Sequence, residues 1–121
     1  MAAPEIKIPL SGPGISGEVI VAPLVVAKLA GTEARATYGV VAMQLSPIKR
    51  LFRLRKGALT DGVEIEVADD ALRIGLHVIM ERGVNLAQVT ANLQDQVRYR
   101  IEKVAGIPIA DIAVRVEDLQ D

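Results

Sequence analysis

Hydrophobic spacing along this chain switches repeatedly between a period of two and a period near 3.6. Val19 and Val21 fall on one side of a short segment and Glu18 and Ile20 on the other, which predicts a strand. Pro23 suits the first position of a helix, where its missing N–H costs nothing. Residues 24 to about 36 (LVVAKLAGTEARA) then supply small and apolar side chains at helical spacing. Gly31 weakens this helix by about 1 kcal/mol relative to alanine, or marks close packing against a neighbour. Tyr38-Gly39 ends it, with Gly39 available for a left-handed cap. Residues 40–44 (VVAMQ) read as a second strand.

Residues 47–59 (PIKRLFRLRKGAL) predict a short basic helix, capped by Ser46 and opened by Pro47. Ile48, Leu51, Phe52 and Leu59 share one side of it. Asp61-Gly62 is a turn signal. Two alternating segments follow, 63–68 and 71–80, joined by Asp69-Asp70 as a two-residue hairpin. In the first, Val63, Ile65 and Val67 oppose Glu64 and Glu66. In the second, Leu72, Ile74, Leu76, Val78 and Met80 oppose Arg73, Gly75 and His77. Both read as half-buried antiparallel strands.

The last helix is the best-specified element. Asn85 and Gln88 have capping-box spacing. Leu86, Val89, Leu93, Val97, Ile101 and Val104 form one apolar stripe. Arg98, Arg100 and Lys103 complement the C-terminal dipole, and Gly106 is the expected cap. A final strand is expected over 112–116. The expected core includes Leu76, Val78, Leu93, Val97 and Ile101. The order is β-α-β-(short α)-β-β-α-β. Strands and helices do not alternate strictly, so the expected class is α+β: an antiparallel or mixed sheet with two main helices on one face. Residues 1–14, with Pro4, Pro9, Gly12, Pro13 and Gly14, read as a flexible leader to a single domain over 15–121.

Composition narrows the chemistry. The 121 residues contain no cysteine, which excludes a disulfide framework, a thiolate metal site and a cysteine nucleophile. A single histidine, His77, excludes multi-histidine metal sites. Aromatic residues are 2%, too few for a base-stacking platform. No run approaches the about 20 apolar residues of a membrane span, and residues 1–9 lack the apolar core of a secretory signal. A cytoplasmic location is expected, with any membrane contact made at the inner face or through a partner.

Order and spacing of several segments resemble a known family. They are Tyr38-Gly39-Val40-Val41-Ala42-Met43, then Gly62-Val63-Glu64-Ile65-Glu66-Val67, then the aliphatic strand from Leu72 to Met80 leading to Gly83-Val84-Asn85-Leu86. The last comprises Val97, Ile101-Glu102, Gly106-Ile107 and Ile112-Ala113-Val114-Arg115-Val116. Together they resemble the alkaline shock proteins, also described as envelope stress response proteins of Gram-positive-type bacteria. The chain departs from that pattern at Ala22-Pro23-Leu24, where the family usually has a polar cap and an acidic residue, and in its basic stretch from Lys49 to Lys56. The resemblance implies a small cytoplasmic protein without catalytic residues, linked to envelope homeostasis and to alkaline or general stress. It also implies self-association and, for some members, a membrane-anchored protein partner. It brings no catalytic or binding motif to carry over.

Each candidate site has a bland reading beside the functional one. Gly12-Pro13-Gly14-Ile15-Ser16-Gly17 matches the dinucleotide spacing G-x-G-x-x-G, but a strand rather than a helix follows it, so it reads as leader. His77 reads as a surface histidine or one paired across the hairpin with Glu64 or Glu66. Glu64, Glu66, Asp69 and Asp70 read as solvated carboxylates. No catalytic residue, cofactor or metal is expected, and the chain is not expected to be an enzyme.

Lys49, Arg50, Arg53, Arg55 and Lys56 are five cations in a chain of net charge −1, which leaves −6 on the remainder. They read either as the solvated face of a surface helix whose leucines pack on the sheet or as a contact with an anionic membrane surface, an acidic partner or nucleic acid, assisting rather than anchoring. A homo-oligomer is expected, either through the first-helix face at Leu24, Val25, Lys28 and Gly31 or through edge-to-edge pairing of the short aliphatic strands at 19–21 and 112–116, while the small residues Ala27, Ala30, Gly31 and Ala34 read equally as letting the helix sit close on its own sheet. The expected function is a non-enzymatic scaffold or adaptor of the cell envelope. The alternative is a small RNA- or DNA-binding module using the helix over 47–59, which the low aromatic content and near-neutral charge disfavour.

Overall fold

The computed structural model describes residues 6–9, 17–44, 57–60, 62–68 and 71–121. Its strands are β1 (Ile6–Pro9), β2 (Glu18–Val21), β3 (Val40–Met43), β4 (Gly57–Thr60), β5 (Val63–Ala68), β6 (Ala71–Glu81) and β7 (Ile109–Gln120). Its helices are α1 (Pro23–Arg35) and α2 (Leu86–Arg98), and α2 runs on into a π-helical segment over Tyr99–Val104. The class is α+β, as expected.

β6 organises the main sheet. β7 runs parallel to it along one edge, from Leu72 opposite Ile109 to Glu81 opposite Gln120. The other edge is divided: β5 pairs antiparallel with Ala71 to Leu76, and β3 with Val78 to Met80. β4 extends the sheet outward from β5. Ala68 lies opposite Ala71, so the expected β5–β6 hairpin has its two-residue connection.

Alternation along β6 decides which face is core. Leu72, Ile74, Leu76, Val78 and Met80 are all buried, as are Val63 and Ile65 of β5. Both helices cover that face with Val26, Ala27, Ala30, Ala34, Val89, Leu93, Val97 and Ile101. The five expected core residues are each 0% exposed. Burying each such aliphatic side chain contributes about 1.5–3 kcal/mol. A buried hydroxyl ties the helices together: Thr37 donates to Gln96 Oε1 at 2.8 Å. Arg100 adds a bond to Glu33 at 3.1 Å.

Helix ends follow local chemistry. Pro23 opens α1, and its cap residue, Ala22, offers no side-chain bond. Asn85 Oδ1 accepts from the Gln88 N–H at 3.1 Å, while the Gln88 side chain turns to Asn92, so half of the expected capping box forms. Gly39 and Gly106 take the positive φ expected of them.

Several elements differ from the expectation. Ile6–Pro9, inside the expected leader, forms β1 and pairs with β2, and Ile6 joins the core opposite Val21. Gly57, Ala58 and Leu59, the end of the expected basic helix, lie instead in strand β4. The rest of that helix lies outside the described residues. β7 is 12 residues long rather than five, because it follows β6 almost end to end. Val104 is 58% exposed and leaves the expected stripe. The π turn holds more residues per turn than an α-helix, so Ala105 comes to the inner side in its place. Leu86, in the first turn of α2, is also exposed.

Candidate functional site

The main-sheet face turned away from the helices carries a cluster of polar side chains. In the ladder, Gly75 pairs with Glu64 on one side and Ala113 on the other, Arg73 with Glu66 and Asp111, and His77 with Arg115. Residues paired in register share a face, so these side chains project together. Gly75 and Ala113 are the small residues among them, and they floor two adjoining depressions of about 190 and 260 Å3. Glu66, Arg73 and Asp111 border one, His77 and Arg115 the other, and Glu64 both.

His77 is the buried member. Its side chain is 5% exposed and sits between Glu64 and Glu117, at 19% and 18%. Nε2 lies 2.6 Å from Glu64 Oε1, and Nδ1 lies 2.8 Å from Glu117 Oε1. Arg115 Nε reaches the same Glu117 oxygen at 3.0 Å. A neutral imidazole has one donor and one acceptor nitrogen, whereas two carboxylates offer acceptors alone. The two short contacts are both satisfied when the ring donates from both nitrogens, or when one carboxyl shares a proton with it.

Glu117 reaches the ring because the β6–β7 register shifts between Val78 and Ile79. Val116 stays opposite Val78 and Asp118 falls opposite Ile79, so Glu117 is the extra residue. A bulge of this kind re-aims a side chain. His77 is therefore not a surface histidine. Its pairing across the hairpin with Glu64 is present, whereas Glu66 instead approaches Arg73 at 3.8 Å. Glu64, read as solvated, is partly buried by this contact. Glu117 and Arg115 are absent from the site residues expected of the sequence. Their alternation with Val114 and Val116 is visible there, but their partner strand is not.

Both histidine nitrogens are engaged, on opposite sides of the ring, each by one carboxylate. Among the described residues no cluster of three or more histidine, aspartate or glutamate side chains is arranged to hold a metal ion.

The expected association face divides. Leu24 and Val25 are 44% and 48% exposed, and Lys28 is exposed on the next turn. Gly31 is buried instead, because it faces the sheet: a Cβ there would lie 3.4 Å from Val63 Cγ2. The small stripe Ala27, Ala30, Gly31 and Ala34 lets α1 sit close on its own sheet. Val19 and Ile20 of β2, on opposite faces of that strand, are 42% and 53% exposed. Lys49, Arg50, Arg53, Arg55 and Lys56 lie outside the described residues. Among the described residues no helix is long and apolar enough to cross a membrane.

Comparison with known proteins gives relatives rather than activities. Over 99 residues the chain is 29% identical to the uncharacterised protein Spy1614 of Streptococcus pyogenes, covering 79% of this chain and 82% of that one. It is 26% identical to the uncharacterised protein YqhY of Bacillus subtilis over 86% of this chain and 78% of the relative. For YloU of the same organism the identity is 25%, over 86% and 89%. No solved structure matches. The model of the alkaline shock protein 23 family, whose function is cell envelope-related, matches residues 12–120, nearly the whole chain, and the chain belongs to that family.

Proposed function

We propose that this chain is a non-enzymatic scaffold or adaptor of the cytoplasmic face of the cell envelope, acting through self-association and a membrane-anchored protein partner. The envelope relation comes from the family. The observation that carries the adaptor reading is the neighbouring exposed aliphatic pair Leu24 and Val25 on the first turn of α1, 44% and 48% exposed, with Lys28 exposed on the next turn. Grouped exposed aliphatics mark contact surfaces, whereas single ones need no explanation. The engagement of both His77 nitrogens supports a role in holding the sheet rather than in acid–base turnover.

Sedimentation equilibrium at micromolar protein and physiological salt tests self-association. The expected result is a species heavier than the 12.9 kDa chain. One species at that mass across the range overturns it. The partner is tested by cross-linking in cells with the membrane fraction retained. A membrane protein recovered in stoichiometric amount, and lost with Leu24→Asp/Val25→Asp, is expected; recovery unchanged by those substitutions moves the contact away from α1.

A further inference from the structure

β7 is a long edge strand that pairs with β6 alone among the described residues. Backbone directions follow from a few bonds. The His77 N–H donates to the Gly62 carbonyl and the His77 carbonyl accepts from Gln44, so odd-numbered residues of β6 up to that point face β5 and β3. Leu72 N–H donates to Pro108 O on the other side, so even-numbered ones face β7. In the regular parallel stretch beginning at Arg73 and Asp111, Asp111, Ala113 and Arg115 then turn their backbone groups toward β6. Ile112, Val114 and Val116 turn theirs away. The Ile112 carbonyl indeed accepts from the Gln94 side chain at 2.9 Å, outside the sheet. Among the described residues no strand pairs with this edge.

Edge strands are ordinarily blunted by lysine, proline or bulges. Ile109–Gln120 contains neither lysine nor proline, and its two register shifts lie at either end of residues 111–116. The regular part is thus open to pairing except where Gln94 donates to the Ile112 carbonyl, which keeps a second lone pair for a ladder bond.

We infer that β7 pairs antiparallel with β7 of a second copy about a two-fold axis at Ala113, with Asp111 of each copy opposite Arg115 of the other. In that register Ile112 faces Val114 of the second copy, and both belong to the set whose backbone groups point outward, so the ladder bonds form. Ala113 meets its own counterpart at a narrow non-hydrogen-bonded position, which a methyl side chain tolerates. Asp111, Ala113 and Arg115 are all exposed in the single chain. Two opposite-charge cross-strand pairs result from one symmetry operation, as an isologous interface requires.

Neighbouring registers fail. With Val114 on the axis, Asp111 faces Glu117 of the other copy, a like-charge pair. With Ile112 on the axis, Asp111 faces Ala113 and Arg115 faces Ile109 of the other copy, so neither charge meets an opposite one. The charges thus select the register as well as the orientation. The proposal deepens the scaffold reading and rests on it for the use of the dimer, but it names a surface separate from Leu24 and Val25.

Charge exchange tests it. Arg115→Asp sets a carboxylate against Asp111 at both cross-strand pairs of the interface, and Asp111→Arg sets two arginines against each other at both. Each variant alone is expected to weaken dimerisation about tenfold or more in sedimentation equilibrium. An equimolar mixture of the two restores attraction at both pairs and is expected to associate as a heterodimer. The double variant Asp111→Arg/Arg115→Asp is expected to dimerise like the wild type. Restoration in the mixture shows that both variants are folded. Single variants that associate as tightly as the wild type, or a mixture that stays monomeric, overturn the edge interface while leaving self-association through α1 standing. A wild-type chain that is monomeric throughout overturns both.

Discussion

The carbonyl of Gly62 accepts the His77 N–H at 2.8 Å, and this bond marks where β5 gives way to β3 along one edge of β6. One residue serves both neighbours, since the His77 carbonyl accepts from Gln44 at 3.0 Å. Two strands can share one edge only if the chain at the junction is narrow. Gly62 makes it narrow: it holds φ at +82°, and a Cβ there would lie 2.8 Å from both Gln44 N and His77 O.

Gly62→Ala is therefore expected to cost about 2–3 kcal/mol, combining left-handed strain with a backbone clash. Urea unfolding checks it through a lower midpoint at unchanged slope. A midpoint within error of the wild type would mean that the junction yields without cost.

The His77 cluster gives a second expectation. His77→Leu removes the donor between Glu64 and Glu117, whose side chains are only 19% and 18% exposed. Loss of bonds to partly buried charged groups is expected to cost about 1–3 kcal/mol. The triple variant Glu64→Leu/His77→Leu/Glu117→Leu is expected to regain part of that loss, because no carboxylate is then left against an apolar neighbour. If the triple variant is less stable than His77→Leu, the cluster stabilises the sheet beyond satisfying its own polar groups.

These two sites show what was legible in the sequence. The inward face of β6 was readable because alternation from Leu72 to Met80 is a local property of a strand. The His77–Glu64 contact was readable for the same reason, since a two-residue hairpin fixes the register of β5 on β6. Glu117 was hidden. It reaches His77 through a parallel pairing set by the whole α2 crossover and then through a bulge, and neither has a local signature. β4 was hidden by the opposite fault: Gly57, Ala58 and Leu59 continued a helical pattern, and pairing with β5 overrode it. Ile6 was masked by the prolines and glycines around it, which argue for a loose segment although four residues among them pair.

Gly31 separates packing from association. Its Cβ position faces Val63 Cγ2 at 3.4 Å and the Arg35 guanidinium at 3.3 Å. Arg35 lies at the end of α1 with an exposed, flexible side chain, and it can move aside. Gly31→Ala is thus expected to raise stability by about 0.5–1 kcal/mol through helix propensity, with no change in sedimentation. Loss of association in this variant would show that a second backbone approaches α1 at Gly31, against its burial here.

The basic stretch supplies the last expectation. Lys49, Arg50, Arg53, Arg55 and Lys56 interleave with Leu51, Phe52 and Leu54, so charge and apolar contact come from the same eight residues. Near an anionic leaflet each cation contributes about 1 kcal/mol, and the rotamer freedom that long cationic side chains lose at the surface offsets part of the sum. Binding is therefore expected to be weak, reversible and confined to low salt. Flotation with vesicles containing acidic lipid should recover the protein at low ionic strength and release it as salt rises. Neutral vesicles, or a variant with Lys49, Arg50, Arg53 and Lys56 changed to glutamine, should recover little. Equal recovery on neutral lipid would place the attraction in the leucines and phenylalanine instead. Duplex nucleic acid is the informative competitor. Five phosphate contacts would give a log–log salt slope of about −4 to −5, from about −0.9 per contact. A slope that steep together with tighter binding to nucleic acid than to acidic vesicles would favour the polyanion module. A shallow slope on nucleic acid, with vesicle binding retained, leaves the stretch as an accessory membrane contact beside a protein partner.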